Sequence, residues 1–403
     1  MKIKYIIQWV IGALLDVIIF PLLILISLSE RYKYKKGNNR VLIGTMHINN
    51  LVYVAEALRM KGYHVSCIPW IIPVHERGVI KYDMDISKKW PRFYKNWIGQ
   101  RVLTYGFFIW AIQNFDIFLM PFLNRLLDRT ILLKWWEFYF LKIAKKKIIL
   151  NPFGSDVATP KLRWENEKNK CVSIYDGWIN DPNYCNTNEK FILKNRIFCE
   201  KNADRIIAAL DLVDYLQKID DLIQLRCINL AKIKPKYISK KNDILKIIHA
   251  PNHRSLKGTE ELIEAVDCIN KPFKSIDLII IENVSNSFLL NQIETCDIVA
   301  DQFLVGAYGR LAIESMALGK PVMCYLREDL KKIYDHWEEC PIVNTSLKNI
   351  EEKLKWFLGL NIEHRLEISK KSRRYVEKFH SYEYVGSQLD KIIRELNKGL
   401  YKL

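Results

Sequence analysis

Asp301-Gln-Phe-Leu-Val-Gly-Ala-Tyr-Gly-Arg-Leu-Ala-Ile-Glu-Ser-Met-Ala-Leu-Gly-Lys-Pro-Val322 is the stretch on which the fold turns. Gly306 and Gly309 permit a tight loop and close approach of a ligand. A helix follows from Gly309 to Leu318 with Ala312, Ile313, Met316 and Ala317 on its apolar side; Gly319 closes it and Pro321 opens a strand to Leu326. The same alternation continues upstream. Leu245–Ala250, Ser275–Ile281 and Asp297–Asp301 read as strands, and Thr259–Asn270 and Asn286–Glu294 as helices. Strand–helix repeats of this length predict a doubly wound parallel sheet.

The first half carries a similar pattern. Strands are expected at 40–47, 64–69, 115–121, 148–150 and 205–208, and helices at 51–61, 133–144, 195–203 and 210–219. Residues 157–195 are loop-rich, 347–400 are helical and polar, and the basic, proline-bearing stretch 232–243 is the expected linker. The length of 403 residues suits two to three domains. The expected division is an apolar helix at 1–30, a Rossmann-like acceptor domain at 31–240, a Rossmann-like donor domain at 241–375 and a terminal helix at 376–403.

Charge narrows the partners. Sixty-two Lys and Arg against 45 Asp and Glu leave +17, which calls for an anionic partner. No helix-turn-helix, zinc-finger or RNA-binding signature accompanies the charge, so nucleic acid is not the expected partner. The nine cysteines contain no Cys-x-x-Cys pair and read as buried or free thiols in a reducing compartment. No His-Glu-x-x-His or Asp-x-Asp motif stands where a metal site is expected, and Asp83-Met-Asp85 lies in a loop far from the second-domain motifs. Neither a metal nor a cofactor is expected.

Tyr5 to Leu28 is almost continuously apolar, with lysines before it and Arg31, Lys33, Lys35, Lys36 and Arg40 after it. Its length is enough to cross a bilayer. Its sixteen Ile, Leu, Val and Phe favour insertion by about 7 kcal/mol, and Asp16 costs about 3. Gln8, Gly12 and Asp16 share one helix face. Three readings follow: a transmembrane or re-entrant anchor, a helix lying in the interface, or a buried helix. Five tryptophans between Trp90 and Trp136, mixed with Phe, Tyr and Lys, read either as core with a solvated face or as a membrane-facing platform.

Two segments carry the candidate chemistry. His249-Ala-Pro-Asn-His-Arg-Ser-Leu-Lys-Gly-Thr259 takes a strand through a cationic loop, Arg254 and Lys257, into a helix N-terminus, which suits a diphosphate. Glu314, one turn inside its helix beside the Gly-rich loop, is a carboxylate suited to ribose hydroxyls. Together these segments resemble the donor half of GT-B glycosyltransferases of the family 4 type. Glu314-Ser-Met-Ala-Leu-Gly-Lys-Pro-Val322 is similar to that family's Glu-Ala-Met-Ala-x-Gly-x-Pro-Val, and Asn151-Pro-Phe-Gly-Ser-Asp156 resembles the Gly-Ser-Asp loop of members that build bacterial surface polysaccharide.

The resemblance implies a GT-B fold, two Rossmann-like doubly wound domains facing a cleft, here with an N-terminal apolar membrane-associated helix. It implies donor contacts by Arg254, Lys257, Gly258, Tyr308, Gly309, Arg310 and Glu314, and catalytic parts for Asp156, Asp301 and His47. The family's second acid falls at Gly306, and Asp301 is the nearby carboxylate that would take its place. The implied activity is transfer of a sugar, with retention, from a nucleotide-diphosphate sugar. The acceptor would be lipid-linked (polyprenyl) or a glycan, at the cytoplasmic face of the inner or plasma membrane, in O-antigen, capsule or similar biosynthesis. The alternatives are a catalytically degenerate scaffold of the same fold and a GT-B epimerase or phosphorylase.

Overall fold

Each short apolar run forms a parallel strand, and the segments between them cover the sheets. The computed structural model describes residues 2–33, 39–72, 81–158, 188–240 and 242–399. The chain forms two units: 1–157 with 188–225 and 385–403, and 158–187 with 226–384.

In the first unit the elements run α1 (Lys2–Lys33), β1 (Arg40–Ile43), α2 (Asn49–Met60), β2 (His64–Cys67), α3 (Ile86–Lys89), α4 (Pro91–Tyr94), α5 (Trp97–Asn114), β3 (Ile117–Met120), α6 (Glu137–Ile143), β4 (Lys147–Leu150), α7 (Glu189–Asn202), β5 (Arg205–Ala208) and β6 (Asp221–Leu222). The strands are parallel in the order β2-β1-β3-β4-β5-β6. β3 and β5 are buried along their whole length, as befits strands covered on both faces. The order reverses between β1 and β3, so the crevice at their carboxyl ends is this sheet's natural ligand edge. The loop-rich 157–195 lies mostly outside the described residues.

α5 is an 18-residue helix that the sequence pattern did not announce, because apolar residues surround it and blur the 3.6-residue period. Asn96 caps it by accepting from the Gly99 amide (2.6 Å). A side chain at Gly99 would meet the Phe93 carbonyl, so glycine is required there for the turn from α4. The expected helix at 210–219 is a 3₁₀ segment over Leu210–Tyr215. Asp83 and Asp85 serve local structure. Asp83 accepts from Arg59 and the Cys67 amide, and Asp85 accepts from Ser87 and the Lys88 amide as cap of α3.

α1 packs along α5 and α6. Gly12 lies against Ile131 and Arg101, and Phe20 against Trp136 and Phe140. Leu23, Ser27 and Glu30 are buried. Asp16 is fully buried and accepts three hydrogen bonds, from the Tyr105 hydroxyl (2.5 Å) and the Ile131 and Leu132 amides (2.8 and 2.6 Å). One stripe of the helix is thus docked, and the opposite face is exposed.

The second unit holds β7 (Leu245–His249), α8 (Arg254–Lys257), α9 (Thr259–Asn270), β8 (Ile276–Ile280), α10 (Asn286–Ile293), β9 (Ile298–Ala300), α11 (Arg310–Ala317), β10 (Val322–Cys324), β11 (Val343–Asn344), α12 (Ile350–Gly359) and α13 (Ile362–Phe379). Its parallel order is β11-β10-β9-β7-β8, with the reversal between β7 and β9. α9 and α12 close its core around Leu245, Ile247, Leu262, Ile298 and Phe357. α14 (Tyr382–Lys398) begins here and joins the first unit from Val385, so it is not a separate terminal helix. The passage between units falls at Leu225–Arg226, ahead of the expected 232–243 linker. That linker is bound to the second unit: Ile238 enters its core, Tyr237 lies against Gly319, and the Ile233 carbonyl accepts from Arg373.

Candidate functional site

The switch point of the second sheet gathers the loops after β7 and β9, which pair directly in register His249 with Ala300. His249 is buried between them. Its Nδ1–H donates to the Ala300 carbonyl (2.9 Å), so Nε2 accepts from the Thr259 hydroxyl at the start of α9 (2.8 Å). Burial lowers its pKa, which keeps the ring neutral. His249 therefore ties β7, β9 and α9 together beneath the loop that carries the cations, a role its place in the motif did not disclose.

Beyond His249, α8 makes one turn and ends at Gly258, whose φ of +71° and closeness to Leu347 and Phe303 admit no side chain. Gly258 thus acts by shaping the turn. Lys257 then reaches across the switch point. Its Nζ donates to Asp301 Oδ1 (2.9 Å) and Gln302 Oε1 (2.6 Å) at the end of β9. Asp301 is fully buried, and its Oδ2 accepts from the Gly309 amide (3.0 Å). Its carboxylate is engaged on both oxygens, so it positions the lysine and the Gly-rich loop.

Gly306 has a φ of +76°, and a Cβ there would collide with Arg327 Cγ. Its carbonyl accepts from the Arg327 amide (3.0 Å). The turn that places Gly309 against Asp301 therefore excludes an acid from the position where the family pattern has one. Gly309, with ordinary backbone angles, leaves room beside Asp301 Oδ2 and Lys257 Nζ.

Glu314 is buried on α11. It accepts from Arg310 Nε (2.7 Å) and from Asn286 Nδ2 at the start of α10 (3.0 Å). Arg254 is exposed and grips Glu282 through Nε and Nη2 (2.8–3.3 Å), with Glu260 at 3.2 Å. The pair raises the arginine's pKa and lowers that of Glu282. Asn286 and Glu282 belong to no motif in the sequence. Both follow β8 within a few residues, so the strand assignment alone would place them at this edge.

Tyr308 departs from expectation. Its side chain is fully buried, and its hydroxyl lies 3.0 Å from both Tyr375 Oη and His380 Nε2. Its carbonyl accepts from Arg226 (2.8 Å). An apolar, hydrogen-bonded pocket holds its ring away from solvent, where it supports the loop.

In the first unit, His47 is exposed beyond β1 at that sheet's switch point. Asp156 is buried and accepts from the Phe122, Phe153 and Gly154 amides (3.2, 2.9 and 2.9 Å), tying the loop after β4 to the end of β3. Burial pushes its pKa up against those three bonds. Among the described residues, no three His, Cys, Asp or Glu side chains gather as a metal site.

No protein-family model matches the chain, and no curated protein matches it in sequence. Solved structures do match over nearly its whole length. Sucrose-phosphate synthase from Thermosynechococcus elongatus aligns with a TM-score of 0.57 at 13% identity, covering 90% of this chain and 100% of that one. A glycosyltransferase from Rickettsia africae aligns at 0.55 and 15%, covering 90% and 99%. Anabaena HepE in complex with UDP-glucose aligns at 0.53 and 10%, covering 88% and 99%. The chain has a GT-B fold. Its two GT-B sheets repeat one strand logic, and the donor-side motifs of the sequence converge at the switch point of the second.

Proposed function

We propose that this GT-B protein is a glycosyltransferase that moves a sugar from a nucleotide-diphosphate sugar to a lipid-linked or polysaccharide acceptor, with retention, at the cytoplasmic face of the membrane. The observation that carries the reading is the Lys257–Asp301–Gly309 cluster at the β7/β9 switch point, with Glu314 on the helix that opens beside it. A lysine held by a buried carboxylate, a glycine that leaves room beside it and a helix N-terminus together suit a diphosphate. The structural likeness to a protein solved with UDP-glucose supports the donor class.

In this reading the bond from the anomeric carbon to the diphosphate oxygen breaks, and a bond to the acceptor oxygen forms. Charge grows on the leaving diphosphate. Lys257 and Arg254 exchange part of their carboxylate contacts for phosphate oxygens and stabilise it. Glu314, oriented by Arg310 and Asn286, accepts from the ribose hydroxyls. Asp301 fixes Lys257, and within the first unit the loop braced by Asp156 and the exposed His47 are the parts we assign to the acceptor. Acceptor chemistry of a polyprenyl diphosphate fits the chain's charge of +17.

Calorimetric titration of the detergent-solubilised full chain with UDP, GDP, ADP and CMP tests the donor site, with R254A/K257A alongside. Saturable binding of one nucleotide, abolished in the double variant, is expected. Failure of all four to bind would overturn the reading.

A further inference from the structure

We infer that α1 is a monotopic anchor: it lies lengthwise in one leaflet, its exposed face among the acyl chains and its flanking cations on anionic phospholipid headgroups. This rests on the membrane association of the proposed function and gives it a geometry. The docked positions Gly12, Asp16, Phe20, Leu23, Ser27 and Glu30 span nineteen residues, about 27 Å of helix. A bilayer's hydrocarbon is about 30 Å thick. A helix crossing it over that stretch would have to leave α5 and α6 and strip Asp16 of its three donors. Glu30, 4.0 Å from the buried Lys146, would lose its place as well.

The free face is the reverse of that stripe. Ile3, Leu14, Ile18 and Leu25 are between 57% and 74% exposed. The neighbouring elements extend it. Trp136, in edge contact with Phe20, is exposed beside α1, and Ile98 and Val102 are exposed on α5. An apolar strip of this length, edged by aromatic rings, matches a lipid interface.

Charge decides between lipid and a second copy of the chain. Lys4 stands at one end of the strip and Arg31 at the other, beside Lys33, which is already paired with Glu30 (3.0 Å). The helix's acids, Asp16 and Glu30, are both turned inward. Pairing two copies through α1 would set cations against cations in either orientation, with no carboxylate on the strip to answer them. Anionic headgroups neutralise them.

The test uses the full chain in inverted membrane vesicles of a bacterial host, cytoplasmic face outward. K4C and Y32C bracket the helix, and the exposed native Cys268 marks the side of the body. A membrane-impermeant maleimide, read by peptide mass spectrometry, is expected to label all three positions from the outside. Labelling of K4C only after the vesicles are opened would overturn the inference in favour of a spanning helix. Purified chain is also expected to float with vesicles of phosphatidylcholine and phosphatidylglycerol (3:1). I18E/L25E is expected to lower the floating fraction at least tenfold while leaving UDP affinity within twofold. Unchanged flotation of I18E/L25E, or a wild-type chain that stays in the dense fraction as a dimer, would overturn it. Flotation is read without nucleotide, so it stands or falls separately from the donor-site titration.

Discussion

Lys257 serves both the fold and, in the proposed reaction, the diphosphate, and a double substitution separates the two. Its Nζ is 2.9 Å from a carboxylate that is fully buried. At an effective dielectric of about 20, two unit charges at that distance attract by about 6 kcal/mol, and desolvation consumes much of it. K257M would leave Asp301 buried with only the Gly309 amide and the weak donor of the Cys324 thiol, at a cost of about 3–5 kcal/mol. K257M/D301N removes the stranded charge and keeps an acceptor for Gly309, so it is expected to recover about 2 kcal/mol of that loss. Nucleotide binding should not recover. Losing one charged hydrogen bond of about 1.5–3 kcal/mol weakens UDP binding by about 10- to 160-fold in both variants. Urea unfolding followed by circular dichroism measures the first quantity, and calorimetric titration with UDP the second. The reasoning is refuted if K257M is as stable as the wild type, or if the double variant regains nucleotide affinity along with stability.

His380 is buried neutral, donating from Nδ1 to the Arg226 carbonyl, and burial pushes its pKa down to about 3. The unfolded chain takes up that proton below about pH 6.5, so stability is full above that pH and falls as the pH drops toward 3, by about 1.4 kcal/mol per unit for this group. H380Q is expected to flatten the pH–stability curve by that slope, and superimposable curves would contradict it. G306A should destabilise by about 2–4 kcal/mol, because strain at φ +76° adds to the clash with Arg327, whereas G62A, at φ +86° with open space around it, should cost about 1. Comparison of melting temperatures checks the pair, and equal losses would count against the packing argument. D16L strands a hydroxyl and two amides under α1 and is expected to cost about 3–5 kcal/mol of first-unit stability by urea unfolding. A loss under 1 kcal/mol would show that the helix is not held by this residue.

Much of the architecture is legible in local pattern. Short apolar runs such as Ile247-Ile248 and Ile148-Ile-Leu150 can be buried only in a sheet covered on both faces, and the amphipathic 259–270 and 310–317 supply the cover. Local periodicity reports such elements because burial acts residue by residue along them. α5 escaped because its exposed face, with Ile98 and Val102, is apolar like its buried one and sets no period.

The site was legible in its loops and not in its partners. The sequence by itself determined that cations, glycines and a glutamate fall at strand ends of a doubly wound sheet, since strand order and loop position follow from short-range pattern. It determined equally that residues 5–28 are too apolar to stand wholly in water. Only the tertiary structure decided that Asp301 holds Lys257 from 44 residues away, that Tyr308 belongs to a buried trio with Tyr375 and His380, and that Asp16 is answered from residues 105, 131 and 132. The physical reason is the same in each case. A buried polar group is tolerable only when its hydrogen-bonding partners are supplied, and those partners arrive from parts of the chain that no local pattern connects.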